Sequence, residues 1–146
     1  DMVEDIVKRI TPIADSEGIE LNYTKAKSVT AEVNETKLSL AISNLIENGI
    51  KYNSENGKVS VTVDADHQNA FITVSDTGIG IAEEELNKIF DRFYRVDKNR
   101  DRQTGGTGLG LAITRSAVLM HNGSIKVSST ENEGTTFVVR IPLKQK

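Results

Sequence analysis

The sequence predicts an α+β fold in which a mixed β-sheet carries its helices on one face. Two observations predict it. Stretches of helical hydrophobic spacing and stretches of strict alternation succeed one another as helix, strands, helix, strand pair, short helix, loop, helix, strand pair. That order is not the regular strand–helix alternation of a doubly wound parallel sheet, so helices segregated to one side fit better.

The elements follow in order. Val3, Ile6, Val7, Ile10, Ile13 and Ala14 recur at helical spacing, with Pro12 inside as a possible kink and Gly18 able to end the helix. Residues 19–24 and 29–33 read as short strands. Asn34 is a good N-cap for a long helix reaching about Tyr52, and residues 53–57 form a turn. Val59, Val61, Val63 and Ala65 alternate, as do Ala70, Ile72 and Val74, so two paired strands are expected around a polar hairpin at 66–69. A short helix is expected over 83–90, and a long loop without periodicity over 95–107. A second strong helix spans 109–120 and ends at Asn122-Gly123. Strands at 124–130 and 135–143 close the chain, joined by residues 131–134. No linker or repeat divides residues 1–146, which read as one domain. The chain opens inside a helix without an initiator Met, so it is expected to be a piece of a longer protein.

Composition narrows the chemistry. Hydrophobic residues make up 37% and charged residues 27% of the 146, the profile of a globular domain that can bury a core. The net charge of -3 and the lack of a basic stripe argue against nucleic acid and against direct membrane contact. Without cysteine there is no disulfide, thiol nucleophile or thiolate metal site. His67 and His121 lack metal-ligand spacing and read as surface or loop residues. A metal here would need oxygen ligands, which points to magnesium.

Three clusters carry candidate chemistry. In the long helix, Asn44, Asn48 and Lys51 fall within an arc of roughly 60°, beside a core face of Leu38, Ile42, Leu45, Ile46 and Gly49, with Glu47 at the edge. A solvated helix face is the plainer reading. Asparagine is nevertheless a poor mid-helix residue, and a chemical use would explain its cost. An amide oxygen suits Mg²⁺, and a lysine can neutralise phosphate.

The second cluster is Asp76-Thr77-Gly78-Ile79-Gly80. Asp76 continues the inward alternation of its strand, so its carboxylate needs donors, for which Thr77 and an adenine amino group are candidates. Gly78 and Gly80 allow a sharp turn and close approach to a flat ring, and Ile79 and Ile81 supply apolar walls. Taken alone it is a common turn.

The third cluster is Thr104-Gly105-Gly106-Thr107-Gly108-Leu109-Gly110-Leu111, which runs straight into a helix and could hold an anion on free N–H groups. It is neither a Walker A loop nor a dinucleotide fingerprint. A flexible hinge explains Gly105 and Gly106, but not a helical Gly110 at a cost of about 1 kcal/mol. Upstream, Phe90, Phe93 and Tyr94 read as packing anchors for the loop, and Arg95, Arg100 and Arg102 are candidates to meet a triphosphate.

With these clusters in this order, the chain resembles the histidine-kinase branch of the superfamily that also holds gyrase B, Hsp90 and MutL. The N box is matched by Asn44-Leu45-Ile46-Glu47-Asn48 with Lys51-Tyr52, and the G1 box by Asp76-Thr77-Gly78-Ile79-Gly80. The F box is matched by Phe90-Asp91-Arg92-Phe93-Tyr94-Arg95, and the G2 box by Gly106-Thr107-Gly108-Leu109-Gly110-Leu111. Gly49 departs from the alanine common there, and Asn122 from a common glycine.

The resemblance implies an α/β sandwich of the Bergerat type, three helices on a mixed five-stranded sheet, with ATP under a lid. Asn48 would ligand Mg²⁺ and Asn44 help at the phosphates, Lys51 would contact phosphate, and Tyr52 would pack on the adenine. Asp76 would read the adenine amino group beside Gly80, and Arg95 with the following loop would close over the triphosphate. Glu47 would orient the nucleophile or accept its proton.

The implied function is transfer of the γ-phosphoryl group to a histidine on a separate dimerisation helix, and from there to a response regulator. The domain itself would be cytoplasmic and monomeric, within a longer protein at the plasma membrane. Neither His67-Gln68 nor His121-Asn122 matches the acceptor, typically His followed by Glu or Asp. The rival expectations are a serine-directed anti-sigma kinase and a nucleotide-sensing module without catalysis.

Overall fold

A computed structural model describes residues 2–26, 34–53, 56–80, 110–130 and 133–143. The described elements are α1 (Met2–Ser16), β1 (Glu20–Lys25), α2 (Glu35–Lys51), β2 (Lys58–Ala65), β3 (Asn69–Asp76), α3 (Gly110–Met120), β4 (Ser124–Thr130) and β5 (Gly134–Pro142). The expected strand at 29–33, the helix at 83–90 and the loop at 95–107 lie outside the described residues.

The five strands form one mixed sheet in the order β1-β2-β3-β5-β4. β1 runs parallel to β2, and the β2–β3, β3–β5 and β4–β5 pairs are antiparallel. Period-two alternation sends Val59, Val61 and Val63, Ile72 and Val74, and Phe137, Val139 and Ile141 to one face, where all are buried. The three described helices cover that same face, as expected for a mixed five-stranded sheet with its helices on one side. Ile10 of α1, Ile42, Leu45 and Ile46 of α2 and Val118 of α3 complete the core.

Local chemistry sets the helix ends. Asn34 caps α2, its side-chain oxygen accepting from the Lys37 N–H at 3.0 Å. Gly18, at φ 72°, ends α1, with the Ile19 N–H reaching back to the Ala14 carbonyl at 2.9 Å. Asn122, at φ 60°, ends α3 the same way, the Gly123 N–H bonding the Val118 carbonyl at 3.0 Å. An asparagine tolerates this left-handed position, which explains why no glycine is needed there. α1 continues through Pro12 as one helix, and Ile13 points outward at 48% exposure rather than joining the core stripe.

Candidate functional site

The C-terminal half of α2, the end of β3 and the start of β5 meet at one edge of the sandwich. They border an open cleft, about 430 Å³ including the solvent at its mouth, lined by Asn48, Tyr52, Asp76, Ile79, Gly80, Leu111, Thr135 and Phe137. Six of these residues come from the N, G1 and G2 boxes. Asn48 and Asp76 therefore open onto the same space. Asn44 and Lys51 are half-buried on α2 and Glu47 is exposed, and none of the three lines the cleft. The Lys51 ammonium lies 5.2 Å from the centre of the Tyr52 ring. Ile81, Tyr94, Arg95, Arg100, Arg102, Gly106, Thr107, Gly108 and Leu109 lie outside the described residues; Gly110 opens α3.

Asp76 stands inward at the end of β3, as its alternation predicts, and is held by two backbone donors. Its Oδ1 accepts from the Gly78 N–H at 2.9 Å and from the Thr135 N–H at 3.3 Å. Burial pushes its carboxyl above the ordinary carboxylate value, and these two N–H groups only partly oppose that. Thr77 does not donate to Asp76 as expected. One residue further on, its hydroxyl instead accepts from the Lys58 N–H at 2.9 Å and donates to Asn53 Oδ1 at 3.3 Å.

The loop after Asp76 is pinned to the end of α2. The Ile79 N–H donates to the Tyr52 carbonyl at 3.0 Å. Buried Asn53, expected only as a turn residue, donates to the Lys58 carbonyl at 3.0 Å. Gly78 sits so close that a β-carbon would lie 2.4 Å from the Tyr52 carbonyl oxygen. The glycine is required there by close approach.

Gly134, Thr135 and Phe137 belong to the site and were missed. Gly134 adopts φ 137°, and a β-carbon on it would lie 2.0 Å from the Asp76 carbonyl oxygen. Thr135 pairs directly with Asp76 across the sheet. A signal was available. Thr135 shares its parity with Phe137, Val139 and Ile141, so it is a polar residue at an inward position, as Asp76 is in β3.

His121 corrects a second expectation. It is 4% exposed, not a surface residue, and both ring nitrogens are engaged. Nε2 accepts from the Asn34 N–H at 2.8 Å, which leaves Nδ1 as the nitrogen that donates to the Ala117 carbonyl at 2.7 Å. His67, in the β2–β3 hairpin, is exposed as expected.

The donor chemistry of the cleft suits a metal that arrives with its ligand. Among the described residues no group of three or more His, Asp or Glu side chains could hold an ion alone. The Asn48 amide offers a neutral hard oxygen on the wall, which fits Mg²⁺ carrying phosphate oxygens and waters.

Residues 33–145 match the model of the histidine kinase-, DNA gyrase B- and HSP90-like ATPase family. The chain belongs to that family. Within it, the chain is a catalytic domain of the sensor histidine kinase type. It is 42% identical over 144 residues to the sensor histidine kinase RppB of Synechocystis sp., a match covering 98% of this chain and 32% of that protein. The fold superposes on the nucleotide-free catalytic domain of the histidine kinase ThkA with a TM-score of 0.84, at 27% identity, covering 97% of this chain and 92% of that one. It superposes equally, at a TM-score of 0.84 and 27% identity, on full-length ShkA in complex with AMPPNP, covering 99% of this chain and 30% of that one. The chain thus spans about a third of the length of RppB. No described helix is long and apolar enough to cross a membrane.

Proposed function

We propose that this domain binds Mg-ATP in the cleft and donates the γ-phosphoryl group to a histidine carried on a helical dimerisation domain of the same longer protein. A response regulator then takes the phosphoryl group, and the longer protein sits at the plasma membrane with this domain in the cytoplasm. The observation that carries the reading is the convergence of the Asn48 amide and the Asp76 carboxylate on one cleft.

The two ends of the cleft have different tasks. At the floor, Asp76 Oδ1 is engaged by two backbone donors, so Oδ2 is the oxygen that accepts from the adenine amino group. Tyr52, Ile79, Leu111 and Phe137 give the ring apolar and aromatic walls, and Gly80 lets it approach the backbone. At the mouth, Asn48 holds the metal, Asn44 and Lys51 lie along α2 toward the phosphates, and Glu47 stands exposed where a nucleophile would arrive. By the family resemblance Arg95 and the loop that follows, with Arg100, Arg102 and residues 106–110, would meet the triphosphate, and Tyr94 would stand beside the nucleotide. Asn48 would hold Mg²⁺, which would supply neutralisation of the charge developing on the phosphates. The chain's own contribution is to hold the nucleotide, screen its charge and keep the γ-phosphorus open for in-line attack.

The acceptor belongs elsewhere. His121 is buried with both ring nitrogens bonded, so it offers no lone pair to phosphorus. His67 sits in a hairpin followed by Gln68. The sensor histidine kinase relatives favour a histidine acceptor over a serine on a partner.

Calorimetric titration with ATP in Mg²⁺ tests the site. Asn48→Ala and Asp76→Ala should each abolish measurable binding while the circular dichroism spectrum stays that of the wild type. Unchanged affinity in both removes the assignment. Strong transfer of γ-phosphate to His67 or His121 in the isolated chain would contradict the acceptor reading.

A further inference from the structure

α2 and α3 lie side by side and antiparallel, and two polar contacts, one part-buried and one buried, join them. The Asn34 N–H donates to His121 Nε2 at 2.8 Å. The Thr114 hydroxyl donates to the Ala41 carbonyl at 3.4 Å. Thr114 is 0% exposed and His121 4%. The contacts are seven residues apart on each helix, from Asn34 to Ala41 and from His121 to Thr114. Seven residues are two turns, about 10 Å of helix, so both contacts fall along one seam. A further seven residues along α2 stands Asn48, on the wall of the cleft.

Asn48 projects from a helix whose axial position is therefore set at its other end. Apolar contacts between helices tolerate small sliding, because one methyl replaces another at little cost. An N–H bonded to a buried imidazole nitrogen does not, since displacing it strands that imidazole acceptor away from water. His121 is in turn fixed by its Nδ1 bond to the Ala117 carbonyl at 2.7 Å, one turn back on α3. The chain of contacts runs from α3 through the imidazole to the N-cap of α2 and along the helix to Asn48. Leu111, at the opposite end of α3, lines the same cleft, so the two helices that bracket the nucleotide are held in one register.

We propose that His121 is a positioning residue for the metal end of the nucleotide site, acting through the register of α2 against α3, with Thr114 as its second contact. This rests on the reading of Asn48 as the Mg²⁺ ligand. The affected quantity is the gain in ATP affinity that Mg²⁺ produces, because that gain depends on where the Asn48 amide lies. The base-reading carboxylate of Asp76, held by β3 and β5, is not shifted.

The test measures ATP affinity with Mg²⁺ and with EDTA, at a temperature where every variant is folded by circular dichroism. Couplings of this kind are typically about 5- to 150-fold. His121→Phe keeps a ring of similar size without either hydrogen bond, and should cut the Mg²⁺-dependent gain by about tenfold while leaving the EDTA affinity within about threefold. His121→Gln keeps an acceptor for the Asn34 N–H and should recover most of the gain. Without nucleotide, the Asn48 amide signals of His121→Phe should shift in NMR spectra. A role confined to stability would lower the melting temperature and move none of these. If His121→Phe does not fold, Thr114→Val removes one hydroxyl and should reduce the gain in the same direction.

A full Mg²⁺-dependent gain in His121→Phe, or in Thr114→Val where the first variant does not fold, overturns the proposal and leaves the site reading intact. A full gain in Asn48→Ala instead overturns the metal-ligand reading on which the proposal rests.

Discussion

Asp76 and Thr135 face each other across β3 and β5, and the Thr135 backbone N–H reaches the Asp76 carboxylate at 3.3 Å. Two adjacent strands thus end in polar inward positions at the same level of the sheet. The apolar core stops there and the cleft begins. The Gly78 N–H approaches the same oxygen at 2.9 Å, so the carboxylate is oriented before any ligand enters. Such preorganisation fits a base-reading group.

Base selectivity follows from this pair. An ionised carboxylate accepts from the amino group of adenine and opposes the carbonyl oxygen of guanine. Asp76→Asn keeps the shape, removes the charge and can turn a donor toward guanine. Hydrogen bonds to charged groups contribute about 1.5–3 kcal/mol, so the preference for ATP over GTP should narrow by about ten- to a hundredfold. Competition titrations of the two nucleotides measure the ratio, and an unchanged preference would refute base reading by Asp76.

The raised carboxyl of Asp76 gives opposite pH trends for folding and binding. Burial makes the folded chain hold this proton more readily than the unfolded chain. Its contribution to the free domain's stability is therefore fully present below the unfolded-state pKa and is lost as pH rises through the raised folded value. Nucleotide binding needs the carboxylate, so ATP affinity should fall as pH drops through that same raised value. Asp76→Asn should flatten both trends. Urea unfolding and ATP titration from neutral pH into the acid range check the signs, and parallel trends would exclude Asp76 as their common origin.

Three glycines should rank by what surrounds them. Gly134→Ala would place a β-carbon against the Asp76 carbonyl at φ 137°, a region alanine rarely adopts. Gly78→Ala would drive one into the Tyr52 carbonyl. Each should destabilise by at least about 1–3 kcal/mol and weaken ATP binding. Gly49→Ala first meets the Val59 side chain at 3.2 Å and the Asp76 β-carbon at 3.4 Å, inside a helix. Its helix propensity gain of about 1 kcal/mol offsets the crowding, so its stability should stay within about 1 kcal/mol of wild type. Thermal denaturation orders the three.

Most of the architecture was legible because each element carries its own period. The valines of β2 and the caps Asn34 and Gly18 speak through local spacing alone. Asp76 was legible because a carboxylate at an inward strand position demands a reason. Thr135 sends the same signal more faintly, since threonine is at home in strands. Gly134 owes its role to contact with Asp76, a residue distant in the chain, and no local pattern reveals that. His121 was misread for the same reason. A histidine at a helix end looks solvated until the N-terminus of another helix is seen to close over it.

Asn53 supplies the last test, because it joins the Asn48 helix to the Asp76 loop. Its amide nitrogen donates to the Lys58 carbonyl at 3.0 Å and its oxygen accepts from the Thr77 hydroxyl at 3.3 Å. At 5% exposure it has little water to replace either partner. Asn53→Ala should cost about 1–3 kcal/mol, the usual penalty for stranding buried polar groups. Asn53→Asp keeps the acceptor for Thr77 but turns an oxygen toward the Lys58 carbonyl and buries a charge, so it should cost more despite its matching shape. Both should weaken ATP binding, since Tyr52 and Ile79 on either side of the joint line the cleft. Urea denaturation gives the order, and an aspartate variant as stable as the wild type would show that the Lys58 contact does not hold the joint.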